Sequence, residues 1–185
     1  YRLQVREELQ NARAFDVVLV NSLFSRESVL RAYGLDAKVC YLGIDSELFK
    51  PSQVPRKKIV VGLGGIYSGK GLERAVRAVG TIQKEKRPDL IWIGNFSVNS
   101  YQQKIEQLAK SLEVNFMAKV RLADNEIVKL LSQASSMIYT PVLEPFGFAP
   151  LEANACETPV VAIAEGGIRE SIKDGINGFL INGDD

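Results

Sequence analysis

Short apolar runs alternate along this chain with longer stretches whose apolar positions recur at helical spacing. The first pattern predicts buried strands and the second predicts helices packed by one face. Residues 2–14 read as a helix, and FDVVLV (15–20) reads as a buried strand. Ser22 or Ser25 can cap a helix that runs to Tyr33 and stops at Gly34. AKVCYL (37–42) is a short strand, and segment 43–56, with Pro51 and Pro55, reads as a linker.

A second cycle starts at Lys57. KIVVGLG (58–64) is a strand ending in glycines, followed by a helix over 72–86 that buries Leu72, Ala75, Val76, Val79 and Ile82. DLIWIGN (89–95) is a strand, 101–112 an amphipathic helix and 116–122 a strand. Asp124 caps a helix through Ala134. SMIYTP (136–141) is a strand, 148–156 a short helix, PVVAIA (159–164) a strand, 168–173 a turn or two of helix and GFLIN (178–182) the last strand. About six strands with helical crossovers define an α/β, doubly wound parallel sheet. With strand order 3-2-1-4-5-6, a ligand would sit beyond the first and fourth strands, between loops 64–71 and 141–147.

Those loops hold the candidate chemistry. In GLGGIYSGKG (62–71) the glycines let backbone approach a ligand and open a helix whose N-terminus attracts anions. Lys70 sits where the helix dipole disfavours a cation by about 0.3–1 kcal/mol, which suits a shared anion. The loop is neither GxGxxG with an acid ending the second strand nor a P-loop. In PVLEPFGFAPLEANA (141–155), Glu144 leaves the fourth strand and Glu152 falls on the first turns of the next helix. Free amides near Phe148 and Ala149 can take an anion. A solvated Glu144 and a dipole-favouring acid are the plain alternative, and paired glycosidase carboxylates are a third.

Composition narrows this. The 185 residues are 46% hydrophobic and 24% charged, with net charge +1, so no strong field points to nucleic acid or an anionic membrane. No apolar run approaches the ~20 residues of a membrane span, and no signal peptide stands at the start. Histidine is absent, which removes Ser-His-Asp and Cys-His catalysis and most zinc chemistry. Cys40 and Cys156, flanked by apolar residues, read as buried free thiols and favour a cytoplasmic compartment.

The spacing Glu144 to Glu152 is E-x7-E, and EPFGFAPLEANACETPVVA (144–162) resembles the long signature of glycosyltransferase family 4. GGIRESIKDGINGFLINGDD (166–185), GIDSELFKP (43–51) and VNSLFSRESVLRAYG (20–34) are similar to further blocks of that family, in order. The resemblance covers nearly the whole chain. It implies a GT-B fold, with residues 1–42 a remnant of the N-terminal acceptor-side domain, 43–56 the interdomain linker and 57–185 the nucleotide-sugar-binding domain. It implies that a retaining glycosyl transfer is the reaction, with a nucleotide-sugar donor, a sugar, lipid or polysaccharide acceptor, no metal and no cofactor. A cytoplasmic protein, peripheral at the membrane when full-length, fits that family.

By the same resemblance Lys70 holds the donor diphosphate, and Gly64 and Gly65 pass close to its phosphates. Glu144 meets the sugar hydroxyls, and Phe146, Gly147, Phe148 and Ala149 form the turn whose amides meet sugar and phosphate. Glu152 accepts from the ribose, a role a carboxylate can fill by taking both hydroxyls. Val120 and Arg121 face the base.

The chain also departs from the family. Gly65 stands where an arginine is usual, Gly69 offers none either, and Arg74, one turn beyond Lys70, is the substitute in reach. Glu157 replaces a glycine where a left-handed conformation is expected, and Ala118 stands where glycine is common. Most of the acceptor half is missing, so sustained transfer is not expected of this chain alone. A nucleotide-sugar epimerase, a non-catalytic binding module and an NAD-dependent dehydrogenase are the competing readings. The last lacks its ribose-binding acid after the second strand.

Overall fold

A computed structural model describes residues 2–183 of the chain. Two sheets lie on either side of segment 43–56, which contains neither helix nor strand. On the N-terminal side, α1 (Arg2–Arg13), β1 (Leu19–Val20), α2 (Leu23–Tyr33) and β2 (Lys38–Val39) form a small unit around a parallel two-stranded sheet. Ser22 is the N-cap of α2, its hydroxyl accepting from Ser25 N–H at 2.9 Å, and Gly34 ends the helix at φ 67°.

The second sheet contains β3 (Ile59–Leu63), β4 (Asp89–Gly94), β5 (Phe116–Val120), β6 (Ser136–Tyr139), β7 (Val160–Ile163) and β8 (Gly178–Ile181). All of its pairings are parallel, in the order β5-β4-β3-β6-β7-β8. Counted from β3, this is the expected 3-2-1-4-5-6. The crossovers carry α3 (Leu72–Gly80), α4 (Asn99–Ser111), α5 (Asp124–Gln133), α6 (Phe148–Ala155) and α7 (Ile168–Ser171). They cover the two faces. One core gathers Val61, Ile93, Leu131, Met137, Ala153 and Ile168, and the other gathers Ile66, Leu72, Val76, Leu90, Trp92 and Ile105. Central strands buried on both faces explain why KIVVGL and DLIWIG read as continuous apolar runs.

Arg56 ties this unit together at its lower edge. Its guanidinium donates to the carbonyls of Ala134 at 2.6 Å and Glu157 at 2.6 Å, and to the Thr158 hydroxyl at 2.5 Å. A cation at the ends of α5 and α6 satisfies carbonyls that a helix leaves unpaired. It also holds Glu157, which adopts φ 59° as expected for a residue in a glycine position.

Several expectations are corrected. The 15–20 run forms only the two residues of β1, and Phe15, Val17 and Leu19 are exposed, because no layer of the described residues covers that face. Cys40 is exposed for the same reason, whereas Cys156 is a buried free thiol. Helix α3 stops at Gly80 and leaves Ile82 outside its buried face. Arg87 caps that end, donating to Gly80 O at 2.7 Å and to Ile82 O at 3.1 Å. Asp124 is the first residue of α5 and not its cap. Ala123 is the N-cap, and the Glu126 carboxylate reaches back to accept from Ala123 N–H at 3.0 Å.

Candidate functional site

Strands β3 and β6 are neighbours, so the loops that follow them meet at the switch point. The first loop is shaped by Trp92. In register with Gly62 on the next strand, its indole covers a glycine whose hypothetical Cβ would lie 2.2 Å from the ring. Its Nε1–H donates to Gly64 O at 2.9 Å. Gly64 itself has φ 148°, a conformation that L side chains rarely adopt. The turn therefore leaves β3 with its backbone bare, beside the methylenes of Lys70.

Lys70 ends a short 3₁₀ turn (Ser68–Lys70). Thr140, just past β6, donates its hydroxyl to Lys70 O at 3.0 Å. Gly71, at φ 68°, brings its Cα so close to Thr140 that a Cβ would lie 2.4 Å from the carbonyl oxygen. The lysine is thus sewn to the end of the neighbouring strand. Its ammonium reaches Glu144 at 2.7 Å, and the two side chains are only 20% and 21% exposed. The first cation and the first carboxylate singled out by sequence are an ion pair across the two loops.

Glu144 follows Leu143, which is strained at φ 56°. Gly147 caps α6 at φ 85°, and a Cβ there would lie 2.3 Å from Ile168 Cδ1. Phe146 is buried and packs edge-on against Phe148, with centroids 5.4 Å apart, and this fixes the turn that presents the amides of Phe148 and Ala149. Beneath the turn lies Tyr139, fully in the core at the end of β6. Burial, then the nearby Glu144 and Glu152 carboxylates, raise its phenol pKa strongly, so the hydroxyl stays a donor. Sequence reasoning missed it, since an aromatic in a strand looks like packing.

Beside this lies a cavity of about 630 Å³, lined by Gly64, Gly65, Lys70, Arg121, Asp124 and Glu152, among others. Three of these come from the predicted loop 64–71, Glu152 comes from α6, and Arg121 comes from the turn after β5 at φ 59°. Val120, Phe146, Gly147, Phe148 and Ala149 do not line the cavity, and Glu144 reaches it only through Lys70. Asp124, Phe49, Asn95, Tyr67 and Phe96 do line it and were not foreseen. Tyr67 and Phe96 stack with centroids 5.7 Å apart, and a Cβ on Gly65 would lie 2.6 Å from the Phe96 ring. The aromatic pair fills the space beside Gly65. Arg74 lines a separate cavity with Thr81, Ile138 and Ile181 and does not join Lys70, because its helical position turns it toward β6 and β8. The second cation at the cavity is Arg121.

Glu152 faces this cavity with no hydrogen bond to its carboxylate among the described residues. Burial, then the charge of Asp124, raise its pKa above the usual carboxylate value. A carboxyl whose folded pKa is raised favours folding below its unfolded pKa and loses that contribution as pH rises through the folded one. Glu152→Gln should therefore raise the melting temperature of the ligand-free protein at pH 7, with the gain fading toward pH 4. Thermal unfolding across that range checks this; a gain independent of pH would refute it. Among the described residues no three His, Cys, Asp or Glu side chains gather as a metal site, and no helix is long and apolar enough to cross a membrane.

The parallel sheet and the glycine turn at its switch point define a Rossmann-like domain, the doubly wound half of a GT-B fold. The sequence profile described as glycosyl transferases group 1 matches residues 44–185, and the chain belongs to that family. It is 28% identical over 191 aligned positions to D-inositol 3-phosphate glycosyltransferase of Mycobacterium tuberculosis, covering 91% of this chain and 38% of that protein. The chain thus spans well under half the length of the curated relatives it matches. Among solved structures, Anabaena HepE in complex with UDP and glucose superposes with a TM-score of 0.84 at 26% identity, covering 98% of this chain and 54% of HepE. The C-terminal domain of the group 1 protein LpcC from Francisella tularensis gives 0.60 at 26%, covering 76% of this chain and 80% of that one. Sucrose-phosphate synthase from Thermosynechococcus elongatus shares the fold, with a TM-score of 0.85, covering all of this chain and 50% of the synthase.

Proposed function

We propose that this chain supplies the donor-binding half of a retaining, hexose-transferring enzyme, and that the cavity between the loops after β3, β4 and β5 and helix α6 takes a nucleoside diphosphate sugar. The observation that carries this is Glu152, a poorly solvated carboxylate with free acceptors, facing a cavity that also holds Lys70 and Arg121. Keeping a carboxylate there is costly unless a ligand donates to it, and a ribose brings two hydroxyl donors. HepE, whose complexes contain UDP and UDP-glucose, supports the same ligand class.

In this reading Lys70 meets the diphosphate, Gly64 and Gly65 let it approach, and the amides of Phe148 and Ala149 share its charge. Glu144, the first carboxylate of the E-x7-E pair, takes sugar hydroxyls, and Arg121 closes the base side. As the glycosidic bond loosens toward an oxocarbenium-like state, negative charge grows on the diphosphate. Lys70 and the helix N-terminus stabilise that charge without a protein nucleophile and without a metal. The acceptor, whether sugar, lipid or polysaccharide, would be held by a domain on the N-terminal side, with residues 43–56 as the linker.

Calorimetric titration with UDP, GDP, ADP and their glucose conjugates tests the reading. Saturable binding to at least one pair is expected. Glu152→Ala should weaken nucleoside and diphosphate alike, with little loss for a 2′,3′-dideoxyribose analogue. Absence of binding to any of them by the folded protein, or binding mapped to another face, would overturn it.

A further inference from the structure

The loop that carries Glu144 has no ladder hydrogen bonds of its own, and its geometry is set from outside. Gly167 N–H donates to Glu144 O at 2.9 Å. Gly166, at φ 68°, passes so close that a Cβ would lie 2.4 Å from Glu144 O, and one on Gly167 would lie 2.1 Å from Pro145 O. The pair of glycines therefore forms a mould for the Glu144–Pro145 backbone. These glycines lead directly into α7, and α7 carries Glu170.

Glu170 looks across to the N-terminal unit. Its carboxylate accepts from Leu23 N–H at 2.8 Å and Phe24 N–H at 3.1 Å, the open first turn of α2, and from the Tyr41 hydroxyl at 2.9 Å. An acid at a helix N-terminus gains from both the free donors and the dipole. Here the acid comes from 147 residues away in sequence. A second route runs in parallel. Ser22, fully buried at the cap of α2, donates its hydroxyl to Pro145 O at 2.5 Å.

We propose that Glu170 and Ser22 are positioning residues for Glu144. They clamp its loop to the first turn of α2, so that the N-terminal unit sets where the sugar-facing carboxylate points. This deepens the reading above, in which Glu144 meets the donor sugar, and rests on it. Both routes begin within one turn of α2 and end on adjacent peptide groups, those of Glu144 and Pro145. Leu143, strained immediately before Glu144, keeps its conformation only while its surroundings over-determine it. A displacement of about 1 Å at such a carboxylate is enough to lose its contact with a sugar hydroxyl. The lysine that meets the diphosphate does not hang on this clamp, because its carbonyl is tied to Thr140.

The test compares affinity for UDP and UDP-glucose, or for the GDP or ADP pair if the wild type selects that base. Glu170→Ala and Ser22→Ala should each weaken the sugar conjugate about fivefold, and together more than tenfold, without weakening the bare diphosphate. Glu170→Gln, which keeps an acceptor oxygen, should recover part of the loss. In a Glu144→Ala background neither change should weaken the conjugate further, as expected for residues acting through one another. Equal losses for both ligands would reduce the two contacts to general stability and overturn the proposal. So would unchanged binding of the conjugate when Glu144→Ala does weaken it. If Glu144→Ala itself leaves the conjugate unaffected, the reading of Glu144 falls, and the clamp falls with it.

Discussion

Lys70→Ala will weaken binding of a nucleoside diphosphate by about 1–3 kcal/mol, the scale of charge-assisted hydrogen bonds, and will weaken a bare nucleoside far less. The reason lies in the position of its ammonium, one-fifth exposed at the edge of the cavity and held in place by the Thr140 contact to its carbonyl. Without ligand the ammonium is paired with Glu144 at 2.7 Å. The cation available to a diphosphate is therefore already neutralised, and an arriving phosphate competes with a carboxylate for it. Glu144→Gln removes that competitor and should have the opposite sign, tightening the bare diphosphate while costing the sugar conjugate its hydroxyl contact. The salt dependence of diphosphate binding should flatten in the lysine variant, since one screened charge pair is gone. Calorimetry with nucleoside, diphosphate and conjugate on both variants checks the set. A uniform loss across ligands would indicate misfolding, and unchanged affinities would show that Lys70 serves only its ion pair.

Gly71→Ala will destabilise the fold by about 2–5 kcal/mol. The left-handed conformation at φ 68° costs an L-residue about 1–2 kcal/mol. The rest comes from the new methyl, 2.4 Å from the Thr140 carbonyl oxygen, which must push apart the turn and the end of β6 at an overpacking cost of about 1–3 kcal/mol. Gly175 provides the control. It has φ 72° with nothing within 4 Å of its hypothetical Cβ, so Gly175→Ala should cost only about 1–2 kcal/mol. Because Gly71 follows Lys70, its variant should also lose diphosphate affinity when folded, whereas the Gly175 variant should not. Urea unfolding of both proteins gives the comparison. Equal losses would mean that the close approach at Thr140 relaxes freely and carries no energy.

The sheet and its switch point were legible because they are written in local terms. KIVVGLG, DLIWIGN and PVVAIA are runs of strand length with turn residues at their ends, and each was followed by a helical period. The right-handed crossover rule then leaves few strand orders to consider. The same locality exposed Gly64, Lys70, Glu144 and Glu152, since a glycine-ended strand and a carboxylate at each end of a turn can be read within one segment. Glu157 was legible as a left-handed position from its place after α6, although what holds it there, Arg56, was not.

What the chain's pattern could not decide depends on contacts between segments far apart. FDVVLV has the pattern of a buried strand, yet burial requires a covering layer, and the described residues supply none for Phe15 or Val17. Asp124 has the chemistry of a cap, but the turn from β5 put Ala123 at that position and moved the acid to the cavity, where it raises the pKa of Glu152. Gly65 looked like a lost arginine, and only the packing of Tyr67 on Phe96 revealed what occupies the space. Glu170 falls in the short helix predicted over 168–173 with no role readable from its neighbours; its three donors lie 129 to 147 residues away. Sequence by itself determined the periodicities and the turns, because these follow from the preferences of neighbouring residues, and left the common doubly wound order among the few to consider. Tertiary structure alone decided which carboxylate pairs with Lys70, which acid crowds Glu152 and which grips α2, because a side chain's partners are set by where crossovers bring distant backbone together.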